Sequence, residues 1–375
     1  MAAGAPDEGV DMLDCGVLSI HLNALCDNYQ HMKTLSKTAE TACVVKADAY
    51  GLGLAEVAPA LQQAGCNSFF VAQTQEALDL RALLPDVTIY VLNGLPDGAA
   101  ALFAEHQLRP CLISQDQMRQ WQDFCQQQET PHPAALFVDT GFNRLGLGAT
   151  DLADLAATPE IFDDWTLSLI ASHLACADDA DNPMNRAQLE RFKDALAQLP
   201  EAPASLANSG GVFLGDAYLF DMTRVGIALY GGAHSGQADD ALQTVVRLYA
   251  PLLQTRALSL GETVGYGATF TAPHEMQIGL VAVGYGDGLS RNYGDTIGGR
   301  SYVYIDAQPA PIVGRISMDS LAIDLTDFAT LPPIGSAVEV FGQHQPIDTM
   351  AASGKTISYE LLTSLGTRYK RKWTT

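Results

Sequence analysis

Short apolar runs alternate with longer amphipathic segments along the first two thirds of the chain. The runs have the length and composition of strands, whereas segments such as AEVAPALQQAG, TQEALDLRALL, QDQMRQWQDFCQQQ and MNRAQLERFKDALAQL have helical periodicity. The eight predicted strands are Ala42–Ala47, Ser68–Gln73, Val87–Asn93, Leu108–Ser114, Ala134–Gly141, Leu167–Ala175, Ala204–Gly210 and Thr223–Gly231.

Strands that alternate with helices indicate a parallel sheet. Eight such units favour a (β/α)8 barrel of the TIM type, and a doubly wound sheet is the alternative that periodicity leaves open. A further strand-like run, VLSIHL, precedes the first unit and is expected to belong to a different domain.

The pattern changes after about residue 244, where short β runs dominate. These runs include QIGLVAVGYGDG, RSYVYID, APIVGRISMDSLAIDL and SAVEVFG. We therefore predict an N-terminal barrel over residues 12–243 and a mostly β domain over residues 244–375, which the N-terminal strand joins.

Charge narrows the classes of partner. The 375 residues include 43 acidic and 21 basic side chains, which gives a net charge of −22. Nucleic acids and anionic membranes require a basic surface, so the sequence speaks against both.

Cysteine usage and the N-terminus bear on the compartment. Seven cysteines are scattered singly with no CxxC pair, which disfavours a disulfide framework or a zinc site and fits a reducing environment. The start, MAAGAPDEGVDMLD, resembles no signal peptide, and no apolar run reaches membrane-spanning length. We expect a cytoplasmic protein with a short disordered N-terminal tail and no metal.

The stretch ACVVKADAYGLG places Lys46 at the end of an apolar run. Chemistry in a (β/α)8 barrel lies at the carboxyl ends of the strands. A desolvated lysine amine there has a lowered pKa and can form a Schiff base with the carbonyl of pyridoxal phosphate (PLP). The turns in ANSGG and RVGIALYG offer backbone amides to a phosphate.

Less specific interpretations exist for each candidate. Lys46, Arg144 and Arg224 can each form plain ion pairs, and His173 can be a structural barrel residue. Tyr266 can be a packing residue. Gly51-x-Gly53 lacks the third glycine of a dinucleotide-binding motif, so that interpretation is weak.

Taken together, the segments resemble the alanine racemase family of fold-type III PLP enzymes. VVKADAYGLG resembles the family's PLP-lysine segment, and eight more motifs follow in the family's order from Leu18 to Lys372. These are DTGFNRLG, SHLACAD, ANSGG, RVGIALYGG, GETVGYGATF, VAVGYGDG, GRISMD and TISYELLTSLG. The resemblance implies a barrel, a β domain, and a head-to-tail homodimer with shared active sites.

The implied reaction is the interconversion of L- and D-alanine by two-base transfer of the α-proton, which supplies D-alanine for peptidoglycan. By this likeness Lys46 holds PLP covalently and is the base on one face of the substrate. Tyr266 of the other subunit is the base on the opposite face. A phenol is ordinarily a poor base near neutral pH, so a cationic neighbourhood is expected, with His173 hydrogen-bonded toward Arg224.

The resemblance also implies roles for other residues. Arg224 faces the pyridine nitrogen, and Arg144 contacts the ring hydroxyl and the substrate carboxylate. Met318 contacts that carboxylate from across the interface. The expected phosphate-binding positions are Tyr50, Ser209, Gly226, Ile227 and Tyr359. The expected substrate channel is lined by Asp178, Tyr285, Arg291 and Arg315, with Asp319 nearby.

One position departs from the family pattern. Many members carry a lysine seven residues before the arginine that matches Arg144, and its carbamate holds that arginine. Here the position is Phe137, which cannot be carbamylated. We expect that Arg144 is held by another group or by an anion such as chloride.

Four alternative functions remain open from sequence. Another racemase, acting on serine or a similar small amino acid, would differ in pocket size. A fold-type III decarboxylase would place an acidic residue where Arg224 stands. A non-catalytic PLP-carrier protein would lack the β domain, and an NAD-dependent oxidoreductase would bind no PLP.

Overall fold

The computed structural model describes residues 16–232, 241–294 and 301–375. The chain separates into two compact units. One runs from Cys26 to Leu229, and the other contains the described residues up to Leu25, residues Tyr230–Gly232 and the described residues from Leu242 onward. The expected N-terminal tail lies outside the described residues.

The first strand, β1 (Val17–His21), belongs to the second unit, and the next eight strands form the sheet of the first. The eight strands pair in parallel in the order β8-β7-β6-β5-β4-β3-β2-β9. Their bounds are β2 (Glu40–Val44), β3 (Ser68–Val71), β4 (Thr88–Val91), β5 (Leu108–Leu112), β6 (Pro133–Phe137), β7 (Thr166–Ala171), β8 (Ala204–Ser205) and β9 (Met222–Val225).

A parallel bridge between Asn208 and Arg224 brings the ends of β8 and β9 together. The sheet is therefore a nearly closed barrel, which confirms the predicted fold and excludes the doubly wound alternative. The closure also places the carboxyl ends of all eight strands at one mouth.

Nine α-helices accompany the barrel strands among the described residues, and the four amphipathic segments quoted above are confirmed as α3, α4, α6 and α8. Side chains cap several N-termini: Ser114 accepts from the amide of Gln117, and Asn208 accepts from the amide of Gly211. The bounds are α1 (Leu22–Leu35), α2 (Lys46–Gly51), α3 (Leu54–Gln63), α4 (Thr74–Leu83), α5 (Ala100–Glu105), α6 (Gln115–Gln128), α7 (Ala149–Ala157), α8 (Pro183–Leu196) and α9 (Ser209–Phe213).

All eight predicted barrel strands extend past their observed carboxyl ends, and two of them illustrate why. The strand predicted over Ala42–Ala47 ends at Val44, because α2 begins at Lys46. The strand predicted over Ala204–Gly210 ends at Ser205, because Asn208 caps α9. In both cases the site residues lie on the turn that leaves the strand.

The second unit is mostly β, as predicted. Its main sheet has the order β13-β16-β15-β14-β17-β10-β1-β18, with β1 antiparallel to β10 and parallel to β18. Two helices, α10 (Ile347–Ser353) and α11 (Ser358–Thr363), follow β17. The strands are β10 (Val246–Leu258), β11 (Thr263–Val264), β12 (Phe270–Thr271), β13 (Met276–Val281), β14 (Tyr302–Ile305), β15 (Gln308–Val313), β16 (Leu321–Asp324), β17 (Ala337–Phe341) and β18 (Lys370–Thr374).

Each described helix is too short or too polar to cross a bilayer. Within the described parts of the chain, no group of three or more His, Cys, Asp and Glu side chains is arranged to hold a metal ion.

Candidate active site

Lys46 stands at the barrel mouth, immediately after the buried Val45 at the end of the first barrel strand. Burial lowers the pKa of the Lys46 amine, and the nearby Arg144 guanidinium lowers it further. The Glu76 carboxylate opposes this shift. The amine is therefore easier to deprotonate than an exposed lysine, as a nucleophile or base requires.

The turn after Lys46, which makes up most of α2, is left-handed rather than α-helical. Ala47, Asp48, Ala49 and Tyr50 have φ between 52° and 59°, a region that costs an L-residue roughly 1–2 kcal/mol. Two hydrogen bonds hold it: the Ala47 amide donates to Glu76 Oε1 at 2.6 Å and the Leu54 amide donates to Asp48 Oδ1 at 2.7 Å. The turn places the Tyr50 side chain inside the mouth, where it is 5% exposed.

Ser209 and Gly226 lie where the last two barrel strands end, and they form a small polar cradle. The Ser209 hydroxyl oxygen accepts from the Gly226 amide at 2.9 Å and from the Ala228 amide at 3.4 Å. A Cβ added to Gly226 would overlap the Tyr50 hydroxyl. The buried Ile227 lies between the two donors.

Arg224 is a buried cation beside this cradle. Its Nη1 donates to the carbonyl and hydroxyl oxygens of Ser205 at 2.9 and 2.5 Å, and its Nη2 donates to the Ser172 carbonyl. Burial lowers the pKa of the guanidinium to about 10. Arg224 therefore stays charged at neutral pH, held by neutral acceptors.

A column of side chains supports Arg224 from inside the barrel. The guanidinium lies 5.9 Å from the Phe70 ring centroid, and Phe70 stacks on Tyr90 at 4.7 Å. Arg109 donates to the Tyr90 hydroxyl at 3.0 Å. Sequence analysis missed these supports, since an aromatic residue inside a predicted strand carries no signal beyond core packing.

His173 follows β7 and lies close enough to Arg224 for the guanidinium to affect its pKa. Burial lowers the pKa of its imidazole to about 3, with further lowering by Arg224, Arg144 and Lys46. The ring is therefore neutral near pH 7. The expected hydrogen bond from His173 to Arg224 is absent among the described residues, because the guanidinium donates to Ser172 and Ser205 instead.

Arg144 and Asp178 lie on exposed loops at the mouth. Arg144 is near enough to Lys46 and His173 to lower the pKa of both. Phe137 is buried at the end of β6, where its carbonyl accepts from the Leu147 amide at 2.8 Å. Its apolar side chain offers Arg144 no charge.

The remaining predicted residues belong to the second unit. Tyr266 is 67% exposed and Met318 is 51% exposed, unusually high for large apolar side chains. The Arg291 guanidinium lies 5.9 Å from the Tyr285 ring centroid, and Asp319 Oδ1 accepts from Arg368 Nη1 at 2.8 Å. Tyr285 and Tyr359 are each 39% exposed, and Arg315 lies beside Gly267.

Sequence analysis identified the candidate catalytic and binding residues but missed the residues that position them. Glu76 is the clearest example, since it fixes the turn after Lys46 and lies close enough to raise its pKa. The only available signal was its place in the first turn of α4, where a capping acid is common.

The barrel mouth fits PLP in two independent ways. The hydroxyls of Ser209 and Tyr50 and the amides of Gly226 and Ala228 form a polar cradle suited to a phosphate, into which a Cβ at Gly226 would intrude. The Lys46 amine, with its lowered pKa, fits a Schiff-base partner for the aldehyde.

Comparison with known sequences covers nearly the whole chain. The family model described as "Alanine racemase, N-terminal domain" matches residues 20–234, and "Alanine racemase, C-terminal domain" matches residues 245–373. The chain is 43% identical over 364 residues to an alanine racemase of Rhizobium meliloti, covering 95% of this chain and 96% of that protein. It is 44% identical over 354 residues to an alanine racemase of Acidiphilium cryptum, covering 94% and 97%.

Solved structures of alanine racemases share the fold of this chain. The alanine racemase of Bartonella henselae, determined with covalently bound pyridoxal phosphate, superposes with a TM-score of 0.92 at 42% identity, covering 96% of this chain and 99% of that one. The biosynthetic alanine racemase of Pseudomonas aeruginosa superposes with a TM-score of 0.90 at 32% identity, covering 97% and 100%.

Proposed function

The chain belongs to the alanine racemase family, and we propose that the groups at its barrel mouth form the cofactor-binding half of the active site. The protein is a PLP-dependent enzyme that interconverts L- and D-alanine. Two parts of this account are proposals: which residues perform each step, and how the subunits share them.

The observation that carries the residue assignment is the lowered pKa of Lys46 at the same barrel mouth as the polar cradle of Tyr50, Ser209 and Gly226. We assign Lys46 to the covalent attachment of PLP. Tyr50, Ser209, Gly226, Ile227 and Tyr359 are assigned to its phosphate.

When bound, PLP withdraws electrons from the substrate and so makes its α-proton acidic. The protein must then accept that proton on one face and return a proton to the other. Lys46 suits the first role because its amine has a lowered pKa and accepts a proton at Nζ. We assign the opposite face to the Tyr266 hydroxyl.

The cationic groups determine where negative charge is stabilised. We assign Arg224 to the pyridine end of PLP, where a permanent cation disfavours a protonated ring. Because His173 is neutral, the arginines rather than an imidazolium supply the positive field. A weaker electron sink limits the lifetime of carbanionic charge and so suppresses transamination.

Substrate recognition is assigned to both units. Arg144, an exposed residue at the mouth, would bind the substrate carboxylate, and Met318 would add a backbone contact. The proposed channel comprises Asp178, Tyr285, Arg291 and Arg315, with Asp319 nearby.

We further propose a head-to-tail homodimer in which Tyr266 and Met318 of each subunit complete the site of the other. Their exposure in the single chain supports this arrangement, since large side chains exposed by 67% and 51% commonly mark contact surfaces. The proposed domain division remains residues 12–243 and 244–375. The proposed setting is the cytoplasm, where the product D-alanine would supply peptidoglycan synthesis.

Loss of optical rotation tests the activity directly. Purified enzyme with PLP is incubated with L-alanine and, separately, with L-serine. We expect rotation to decay with alanine much faster than with serine. Equal decay with both would favour a general small-amino-acid racemase. No decay with either, despite bound PLP, would contradict the proposed function.

A further inference from the structure

Arg144 lies on a loop that the structure holds tightly at both ends. The Leu147 amide donates to the Phe137 carbonyl at 2.8 Å, and the Asp139 amide donates to the Leu147 carbonyl at 2.9 Å. Inside the loop, Asp139 Oδ1 accepts from the amides of Gly141 and Asn143 at 2.8 and 3.1 Å. The loop backbone is therefore fixed, although the Arg144 side chain is exposed.

The loop is also fastened to its neighbours. The hydroxyls of Thr140 and Ser172 are 2.8 Å apart, and Arg191 Nη1 donates to the Thr140 carbonyl at 3.0 Å. Gln188 Nε2 donates both to Thr140 Oγ1 at 3.1 Å and to the His173 carbonyl at 2.8 Å. These bonds hold the loop against the segment that follows β7 and carries His173.

Phe142 is the side chain that this loop brings under Arg144. The Arg144 Cζ lies 4.2 Å from the Phe142 ring centroid, within the range of a cation–π contact. The other cation–π contacts of the described residues lie at 5.5–5.9 Å. The Phe142 ring also meets the His173 ring edge-on, with the two centroids 5.6 Å apart.

Among the described residues, no acidic side chain pairs with Arg144 in place of this ring. Within residues 16–232, 241–294 and 301–375, Arg144 forms no ion pair and no hydrogen bond, so the face of Phe142 is its one attractive contact. The position from which a charged side chain would reach it in many relatives is the buried Phe137. An aromatic face is suited to this task because it attracts a guanidinium without neutralising it.

We propose that Phe142 is a positioning residue that holds the Arg144 guanidinium by a cation–π contact, and thereby orients it toward the substrate carboxylate. The proposal rests on the proposed function of Arg144. It differs from anion binding in leaving the full positive charge of Arg144 to the substrate and to the field around Lys46.

The test compares Phe142→Leu, which keeps an apolar side chain but removes the ring, with Phe142→Tyr, which keeps the ring. Phe124→Leu is the matched control, because Phe124 is also partly buried in the barrel and packs on a histidine, His132, at 5.7 Å. All variants are studied as holoenzyme.

We expect Phe142→Leu to raise the KM for alanine about threefold to tenfold, with a smaller change in kcat. Phe142→Tyr and Phe124→Leu should keep the wild-type KM. A second readout is the rate at which phenylglyoxal modifies Arg144, measured by peptide mass spectrometry against the exposed Arg119. That rate should rise in Phe142→Leu alone, since a stacked guanidinium is shielded from the reagent.

An unchanged KM and labelling rate in Phe142→Leu would overturn the proposal. So would a wild-type KM that falls on adding chloride at constant ionic strength, because an anion would then hold Arg144. If the wild type racemises alanine in either case, the proposed function stands and only the role of Phe142 fails.

Discussion

Two basic side chains at the barrel mouth, Lys46 and His173, have pKa values below those of exposed groups. Burial lowers the pKa of both Lys46 and His173, Arg144 lowers both further, and Arg224 adds to the lowering at His173. A lysine that loses its proton easily is a competent base, and a neutral histidine adds no charge that the site would have to balance. The two arginines therefore matter for what they do to their neighbours as well as for what they bind.

Because His173 is held neutral in the folded protein, the protein should be less stable at acidic pH. Its pKa is lowered to about 3 in the folded protein, against about 6.5 when unfolded. Below pH 6.5 the unfolded chain binds the extra proton, so stability falls as pH falls from 6.5 toward 3. Lowering the pH from 7 to 5 should therefore reduce the free energy of unfolding by about 2 kcal/mol through this group.

Urea unfolding at pH 7 and pH 5, with PLP in fixed excess, measures this effect. Over that interval, we expect the free energy of unfolding of His173→Asn to fall by about 2 kcal/mol less than that of the wild type. His274→Asn, which replaces an exposed histidine, should behave like the wild type. An identical loss in His173→Asn and the wild type would show that His173 is not held neutral.

At the residue scale, sequence revealed side chains with chemistry of their own and missed those that act through others. Lys46 was recognisable because an amine that ends an apolar run needs an explanation. Glu76 and Phe142 were not recognisable, since their roles depend on contacts with residues 29 and 2 positions away, made by one left-handed turn and one tight loop.

At the scale of elements, the turns that leave the strands carry most of the site. The barrel strands themselves were predictable, because eight apolar runs alternate with amphipathic helices. Their ends were not, since the turn at Ala47–Tyr50 adopts a conformation that alanine, aspartate and tyrosine all disfavour. Local propensity predicts a continued strand or a right-handed helix there, and side-chain anchors such as Glu76 override it.

The phosphate cradle depends on the close approach of two such turns. Gly226→Ala would push a methyl group into the Tyr50 hydroxyl and separate the turn after β2 from the turn after β9. We expect the Kd for PLP to rise about tenfold or more, the cost of losing a hydrogen bond to a charged group. Titration of the apoenzyme with PLP, followed by absorbance, measures the change.

Gly148→Ala is the matched control for this substitution. An added Cβ at Gly148 would meet only Asp151 Oδ2, at 3.8 Å, and Gly148 also lies outside the left-handed region. Its Kd for PLP should stay at the wild-type value. If Gly226→Ala bound PLP as tightly as Gly148→Ala, the cradle assignment would be wrong.

At the scale of the whole molecule, two units divide the work. The barrel unit holds the residues assigned to PLP other than Tyr359, whereas Tyr266 and Met318 belong to the β unit and are exposed. Composition and periodicity predicted both fold types, because each has its own pattern of apolar spacing. Neither pattern could say which copy of the chain supplies Tyr266, since that depends on a surface rather than on a core.

The central claim is that each active site joins Lys46 of one subunit to Tyr266 of the other, and mixed dimers test it most directly. Lys46→Ala and Tyr266→Ala chains, each inactive alone, are co-expressed with different tags and the mixed dimer is isolated. One of its two sites then keeps both residues, so we predict about half of the wild-type activity.

The reciprocal dimer pairs a Lys46→Ala/Tyr266→Ala double variant with a wild-type chain, and it should be inactive because each of its sites lacks one base. The opposite pattern would contradict the account. An inactive first dimer together with a half-active second one would mean that both bases of a site come from a single chain.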